Sequence, residues 1–160
     1  MHTIGKKRIL ILVSWSIVVI WMAVIFLFSA QPAYESDSLS RSVTLFVLNL
    51  AERVVPSLEP AINVTTLNYL VRKVAHFVIY LVLGVLTINA LKMSGITTFK
   101  ATVWALLICI VYAASDETHQ MFVPGRSAQV RDVLIDSIGA AIGVCGYYVI
   151  MRTLKERCFI

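Results

Sequence analysis

Apolar residues in this chain gather into four long runs, and the polar residues between them are unevenly spread. Ile9–Phe28 carries no charge over about 20 residues, the length a helix needs to cross a bilayer at about 1.5 Å per residue. Ser29-Ala30-Gln31-Pro32 ends it, because proline disfavours helix in the residue before it. The second run is Leu67–Leu91, whose uncharged part starts at Val74, with Arg72 and Lys73 at its entrance. The third begins at 100 and must continue to about Val123 to span, after which Pro124-Gly125 breaks it. The fourth occupies 132–151.

Between the first and second runs, Leu39, Val43, Phe46, Val47, Leu50 and Val54 recur at helical spacing. That spacing predicts an amphipathic helix over 37–55, with Ser36 or Ser38 as N-cap, Pro56 as stop and a break over Pro56–Pro60. Its expected place is flat in the membrane interface. The alternative is a lid over polar residues of the helix ends. The pattern as a whole predicts one all-α integral membrane domain over 1–160. It has four transmembrane helices and an extracytoplasmic amphipathic helix between the first and second.

Composition agrees. Hydrophobic residues make up 59% and charged residues 14%, against about 45–50% and about 25% for soluble domains. The formal charge of +5 does not point to nucleic acid, because the basic residues cluster at the ends of apolar runs. Lys6, Lys7 and Arg8, then Lys92 and Lys100, then Arg152, Lys155 and Arg157 all fall on one side. By the positive-inside rule that side is the cytoplasm, with both termini inside. The first run is too long for the apolar region of a signal peptide and lacks a good cleavage site, so it reads as an uncleaved anchor. Cys109, Cys145 and Cys158 are odd in number and read as packing residues or free thiols.

The stretch Ser115–Asp136 changes the picture. It packs Asp116, Glu117, His119, Gln120, Arg126, Arg131, Asp132 and Asp136 between two apolar runs. Arg72, Lys73 and His76 open the second run. Ionisable groups at membrane depth are costly, usually paired and often functional. Asp116 and Gln120 are four apart and Glu117 and Gln120 three apart, so they share a helix face, while His119 points elsewhere. Asp132, Asp136, Gly139 and Gly143 form a stripe on the fourth helix, and Lys73, His76, Tyr80 and Gly84 form one on the second. Gly139, Ala140, Gly143 and Gly146 supply small residues for close helix contact. The topology puts all these polar residues on the extracytoplasmic side. There Arg72, Lys73, Arg126 and Arg131 run against the positive-inside trend. Carboxylates or an anionic ligand would account for them.

The plainest reading is a self-satisfied network, with Lys73 and Arg126 neutralising Asp116, Glu117 or Asp136 and His76 hydrogen-bonded among them. Three chemistries fit besides. Arg and Lys can bind phosphate or carboxylate. His76 with a carboxylate can do acid–base work. His76, His119 and the carboxylates can hold a divalent metal, which is the least favoured because no HExxH or comparable spacing is present. No cofactor is expected. There is no recognisable nucleophile motif and no Gly-rich phosphate loop.

RKVAHFVIYLVLG at 72–84, SDETHQMFVPGRSAQVRDVLIDSIGAAIG at 115–143 and FSAQP at 28–32 together resemble the VanZ-like membrane proteins over about residues 9–150. The positions that carry the resemblance are Lys73, His76, Tyr80, Asp116, Glu117, Gln120, Arg126, Asp132, Asp136 and Gly139. The member that gives the family its name is linked to low-level resistance to teicoplanin, a lipoglycopeptide that acts on cell-wall precursor at the outer membrane face. The resemblance therefore implies a bacterial cell-envelope protein with a polar pocket in the outer leaflet. Its ligand would be an anionic lipid, a lipid-linked wall precursor or a lipoglycopeptide. Lys73, Tyr80, Gln120, Arg126, Asp132 and Asp136 would form the binding set. The alternative is a membrane-embedded hydrolase or transferase on a lipid-linked envelope substrate, with His76 as base and Asp116 or Glu117 as acid or orienting group.

Overall fold

The computed structural model describes residues 2–54 and 63–157. It contains five helices: α1 His2–Ser29, α2 Ala33–Val54, α3 Val64–Met93, α4 Thr98–Gln120 and α5 Val130–Arg157. Among the described residues there is no strand. Four segments are long and apolar enough to cross a membrane: Gly5–Ser29, Val64–Met93, Thr98–Gln120 and Val130–Leu154. This is the all-α, four-span architecture that the hydrophobic pattern predicts, with α2 set between the first two spans.

The helix ends differ from the expected ones for local reasons. Segment α3 starts at Val64 rather than Leu67, because the Asn63 side chain accepts a hydrogen bond from the Thr65 amide at 2.9 Å and caps an extra polar turn. Segment α4 ends at Gln120 rather than Val123. Met121, Phe122 and Val123 donate to the carbonyls of Thr118, His119 and Gln120 at 3.3, 3.0 and 3.1 Å, which tightens the chain into turns before Pro124. Gly125 then takes φ +75°, a conformation that favours glycine. Segment α2 begins at Ala33, earlier than a Ser36 or Ser38 cap allows. The Pro32 carbonyl accepts from the amides of Glu35 and Ser36 at 3.1 and 3.2 Å, and the Ser38 hydroxyl turns back to the Glu35 carbonyl. The expected stop at Pro56, the break that follows it and Cys158 lie outside the described residues.

Helices α3 and α5 form the most extensive contact in the bundle. Glycine makes it possible. A Cβ on Gly84 would strike the Ala140 carbonyl, one on Gly139 the Phe77 carbonyl, and one on Gly143 the Leu81 carbonyl. Backbones that close gain dispersion contact, the main attraction left between helices when lipid replaces water. Gly146 departs from this expectation, since a Cβ there meets nothing within 4 Å. Tyr80, Leu83, Cys109, Ala113 and Ala140 are buried in one cluster, and Ile88, Leu91, Ala101, Ala105 and Val144 in a second.

Polar side chains help to hold helix α1 on the bundle. Trp21 Nε1 donates to the Ile79 carbonyl at 3.0 Å, Tyr112 Oη to the Met22 carbonyl at 2.5 Å, and Trp15 Nε1 to Ser94 Oγ at 3.1 Å. Long apolar residues such as Leu12, Val19, Val111 and Ile142 remain on the outside. Acyl chains solvate such surfaces in a spanning protein. Cys109 and Cys145 are free thiols, the first buried in the core.

Candidate functional site

The C-terminal ends of α1 and α4 and the N-terminal ends of α3 and α5 meet at one end of the bundle. The Ala33 amide donates to the Pro124 carbonyl at 3.2 Å, tying the start of α2 to the α4–α5 turn. Between α1, α2, α3 and α4 lies a cavity of about 350 Å³. Its polar wall carries Arg72, His76, Tyr80, Asp116 and Arg126. Its apolar wall includes Ile25, Phe28, Val71 and Ile79, and α2 closes it with Ser36, Leu39, Ser40 and Val43. Helix α2 is therefore a wall of the site as well as an amphipathic segment. It packs on α3, aided by the Arg72–Asp37 ion pair at 2.6 Å and a Thr44 to Asn68 contact at 3.4 Å.

Behind the polar wall, α3 and α5 are joined by two ion pairs a turn apart. Lys73 Nζ pairs with Asp132 and also lies 5.0 Å from the Tyr69 ring centre. His76 Nδ1 stands 3.5 Å from Asp136 Oδ1. Asp136 has no solvent exposure, and neither of its oxygens has a partner at full hydrogen-bonding geometry. The glycines that let α3 and α5 touch continue along the same stripe, so the packing that sets the backbone distance also brings these side chains together.

The two acids of α4 do different things. Asp116 lines the cavity. Its Oδ2 accepts from Gln120 Nε2 at 3.3 Å, and its Oδ1 has no partner. Glu117 is not one of the lining residues. Its Oε2 accepts from the Gln129 amide at 2.8 Å and so fixes the chain just before α5. That bond holds the 121–129 turn, which carries Arg126.

Arg126 is half-buried. One Nη donates to the Phe28 carbonyl at 3.4 Å, and Nε has no partner. Among the described residues no carboxylate lies within ion-pair distance of it. Burial, and then the neighbouring Arg72 charge, push its guanidinium below the ordinary arginine value. Both effects disfavour the cation, and an anion in the cavity would offset them. Ser29 Oγ, Tyr80 Oη and Asp116 Oδ1 are further buried polar atoms on residues of the same cavity that lack a partner at full hydrogen-bonding geometry. Buried polar atoms are rarely left unpaired, and this set belongs to one space.

The anticipated residues thus sort into two layers. His76, Tyr80, Asp116 and Arg126 line the cavity, while Lys73, Glu117, Gln120, Asp132 and Asp136 stand behind it. The anticipated pairing is corrected. Lys73 pairs with Asp132, Asp136 with His76, and Glu117 with a backbone amide. His119 lies outside the lining and packs against Phe26 at 4.5 Å between ring centres. Arg131 is exposed. Arg72 and Ser29 line the cavity and were not singled out as ligands. The signal for Arg72 was its place one helical turn before His76, which spacing offered equally for Lys73. Among the described residues no group of three or more His, Cys, Asp or Glu side chains converges to hold a metal ion.

No curated protein and no solved structure matches the chain. The family model described as VanZ/LLP1 matches residues 14–152. The chain belongs to the VanZ/LLP1 family.

Proposed function

We propose that this protein binds an anionic amphiphile of the bacterial cell envelope, with the charged group in the cavity and the chain along its apolar wall. The observation that carries this reading is Arg126, a half-buried cation on the cavity wall with no carboxylate partner among the described residues. An unpaired buried charge is costly. A phosphate or carboxylate offers the planar guanidinium a two-point acceptor. Arg72 adds a second positive charge on the same wall. Its pairing with Asp37 is partly exposed, at 33% and 53%, and so is weak enough to exchange for a ligand. Ile25, Phe28, Leu39, Val43 and Ile79 suit a hydrocarbon chain. The cavity volume lies within the usual range for small-molecule sites of about 300–1,000 Å³.

Lys6, Lys7, Arg8, Lys92, Lys100 and Arg152 lie at the opposite end of the bundle. The positive-inside rule makes that end cytoplasmic, which sets the cavity in the outer leaflet of the cytoplasmic membrane. An anionic lipid, a lipid-linked wall precursor and a lipoglycopeptide all have the required chemistry there. The family link to teicoplanin favours a role in glycopeptide resistance.

The test uses purified full-length protein titrated with short-chain phosphatidylglycerol and with teicoplanin. Wild type binds at least one of them, and Arg126→Gln binds it about tenfold or more weakly, as expected for loss of a charge-assisted hydrogen bond. Equal affinity in the variant removes the proposal. In cells, equal teicoplanin tolerance with wild-type and Arg126→Gln protein at matched levels removes the resistance role.

A further inference from the structure

The cavity carries more than an anion site, because its polar wall includes a base with a built-in orienting group. His76 faces the cavity, and its Nδ1 is turned to Asp136, which is completely buried between α3 and α5. Nε2 is then the nitrogen left for the cavity. A histidine aimed by a buried carboxylate on one nitrogen and open on the other is the arrangement of a general base. The 3.5 Å separation is long for a hydrogen bond. Catalytic hydrogen bonds are commonly long without substrate and tighten when it binds. Asp116, with Oδ1 unpartnered, lies on the same wall, and so do the guanidiniums of Arg72 and Arg126. A binding site alone needs the arginines. An imidazole oriented by Asp136 adds acid–base capacity to the helix contact that the pair also makes.

From this geometry we infer that the cavity hydrolyses a phosphate ester or diphosphate bond of a membrane amphiphile, with His76 as general base and Asp116 as general acid. The inference rests on the anionic-amphiphile reading above and names the substrate class. Water is the nucleophile. His76 Nε2 takes a proton from water as the water oxygen bonds to phosphorus. The bond from phosphorus to the leaving oxygen breaks, and Asp116 in its carboxylic form gives that oxygen its proton. The proton on His76 then returns to Asp116 through solvent, so no oxidant or further reactant is consumed. Arg126 and Arg72 hold the phosphoryl oxygens as charge grows on them. Asp136 touches no substrate. It is a positioning residue that keeps the imidazole in one tautomer and stabilises the imidazolium formed in the step.

The experiment uses full-length protein in detergent–lipid micelles in water enriched in oxygen-18. The probes are phosphatidic acid, farnesyl diphosphate and a total lipid extract of the cell envelope. Mass spectrometry reads oxygen-18 in phosphorus-bearing products. The expected result is labelled product from at least one probe. His76→Gln and Asp136→Asn should each lower kcat by on the order of a hundredfold or more, with KM and melting temperature unchanged, while Arg126→Gln raises KM and lowers kcat together. A positioning role is separated from a merely structural one by that fall in kcat at constant melting temperature. Labelled product formed equally well by His76→Gln overturns the assignment. No labelled product from any probe, with Arg126-dependent binding intact, overturns hydrolysis and leaves the binding reading standing. Loss of both binding and label removes both readings.

Discussion

Glu117 Oε2 accepts a hydrogen bond from the backbone amide of Gln129 at 2.8 Å, and this one bond ties the last turn of α4 to the residue just before α5, across the turn that carries Arg126. The carboxylate acts here as a clamp on the backbone. Glu117→Gln keeps an acceptor at the same place, whereas Glu117→Ala leaves a part-buried amide without one, at a cost of about 1–3 kcal/mol. Glu117→Ala should therefore lower the melting temperature in detergent and weaken anion binding through displacement of Arg126. Glu117→Gln should do much less of either. Calorimetry and ligand titration on both variants read the difference, and identical behaviour would remove the clamp.

The contact between α3 and α5 gives a sharper test of packing. Gly143→Ala puts a Cβ into the Leu81 carbonyl, with backbone on both sides and no flexible side chain to yield. Overpacking of this kind costs about 1–3 kcal/mol. Gly146→Ala meets open space and gains helix propensity, so it should be neutral or stabilising by up to about 1 kcal/mol. Measured side by side, Gly143→Ala should melt below wild type and Gly146→Ala at or above it. A Gly143→Ala protein as stable as wild type contradicts the observed approach of the two helices.

These elements differ in how far they could be read from the chain alone. The four spans were legible because an uninterrupted apolar run of bilayer length has few other uses. The gathering of charges at one end followed from topology, since alternate helix ends share a side. Partner choice was not legible. Helical spacing says which face a residue occupies but not which neighbour it meets, so Lys73 could be put on the right stripe and yet matched to the wrong acids. The end of α4 was misjudged for a related reason. A length argument asks for helix to Val123, but Pro124 dictates tight turns from Met121 onward. The role of α2 as a wall depends on where the Pro32 turn aims it, and an apolar stripe does not encode that direction.

Helix α2 should move more easily than the rest. Its link to α3 through Arg72 and Asp37 is partly exposed, and such pairs are worth about 0.2–1 kcal/mol and weaken with salt. Asp37→Asn should leave global stability within about 1 kcal/mol of wild type while freeing α2 from the cavity mouth. With a cysteine introduced by Ser40→Cys on the cavity wall, maleimide labelling should then proceed several-fold faster, and raised ionic strength should speed the wild-type background in the same way. Unchanged labelling in both cases would mark α2 as a fixed wall.

The remaining expectation concerns which side of the membrane the cavity faces. The last turn of α3 holds Lys92, whose Nζ reaches over the α3–α4 turn to donate to Thr98 Oγ1 at 3.0 Å and to the Ile96 carbonyl at 3.4 Å. The α4–α5 turn, at the other end of the bundle, holds Arg126. Basic residues dominate the first end and are matched by acids at the second, so the positive-inside rule leads us to expect the net positive end in the cytoplasm. In a background with Cys145 and Cys158 replaced by serine, Ser127→Cys should react in intact cells with a membrane-impermeant maleimide. Ser94→Cys should react only after the membrane is opened, and both positions are exposed, so accessibility within the fold does not confound the comparison. The reverse pattern would turn the cavity toward the cytoplasm. It would rule out direct capture of a lipoglycopeptide arriving from outside, and the pocket's anionic amphiphile would then have to come from the inner leaflet.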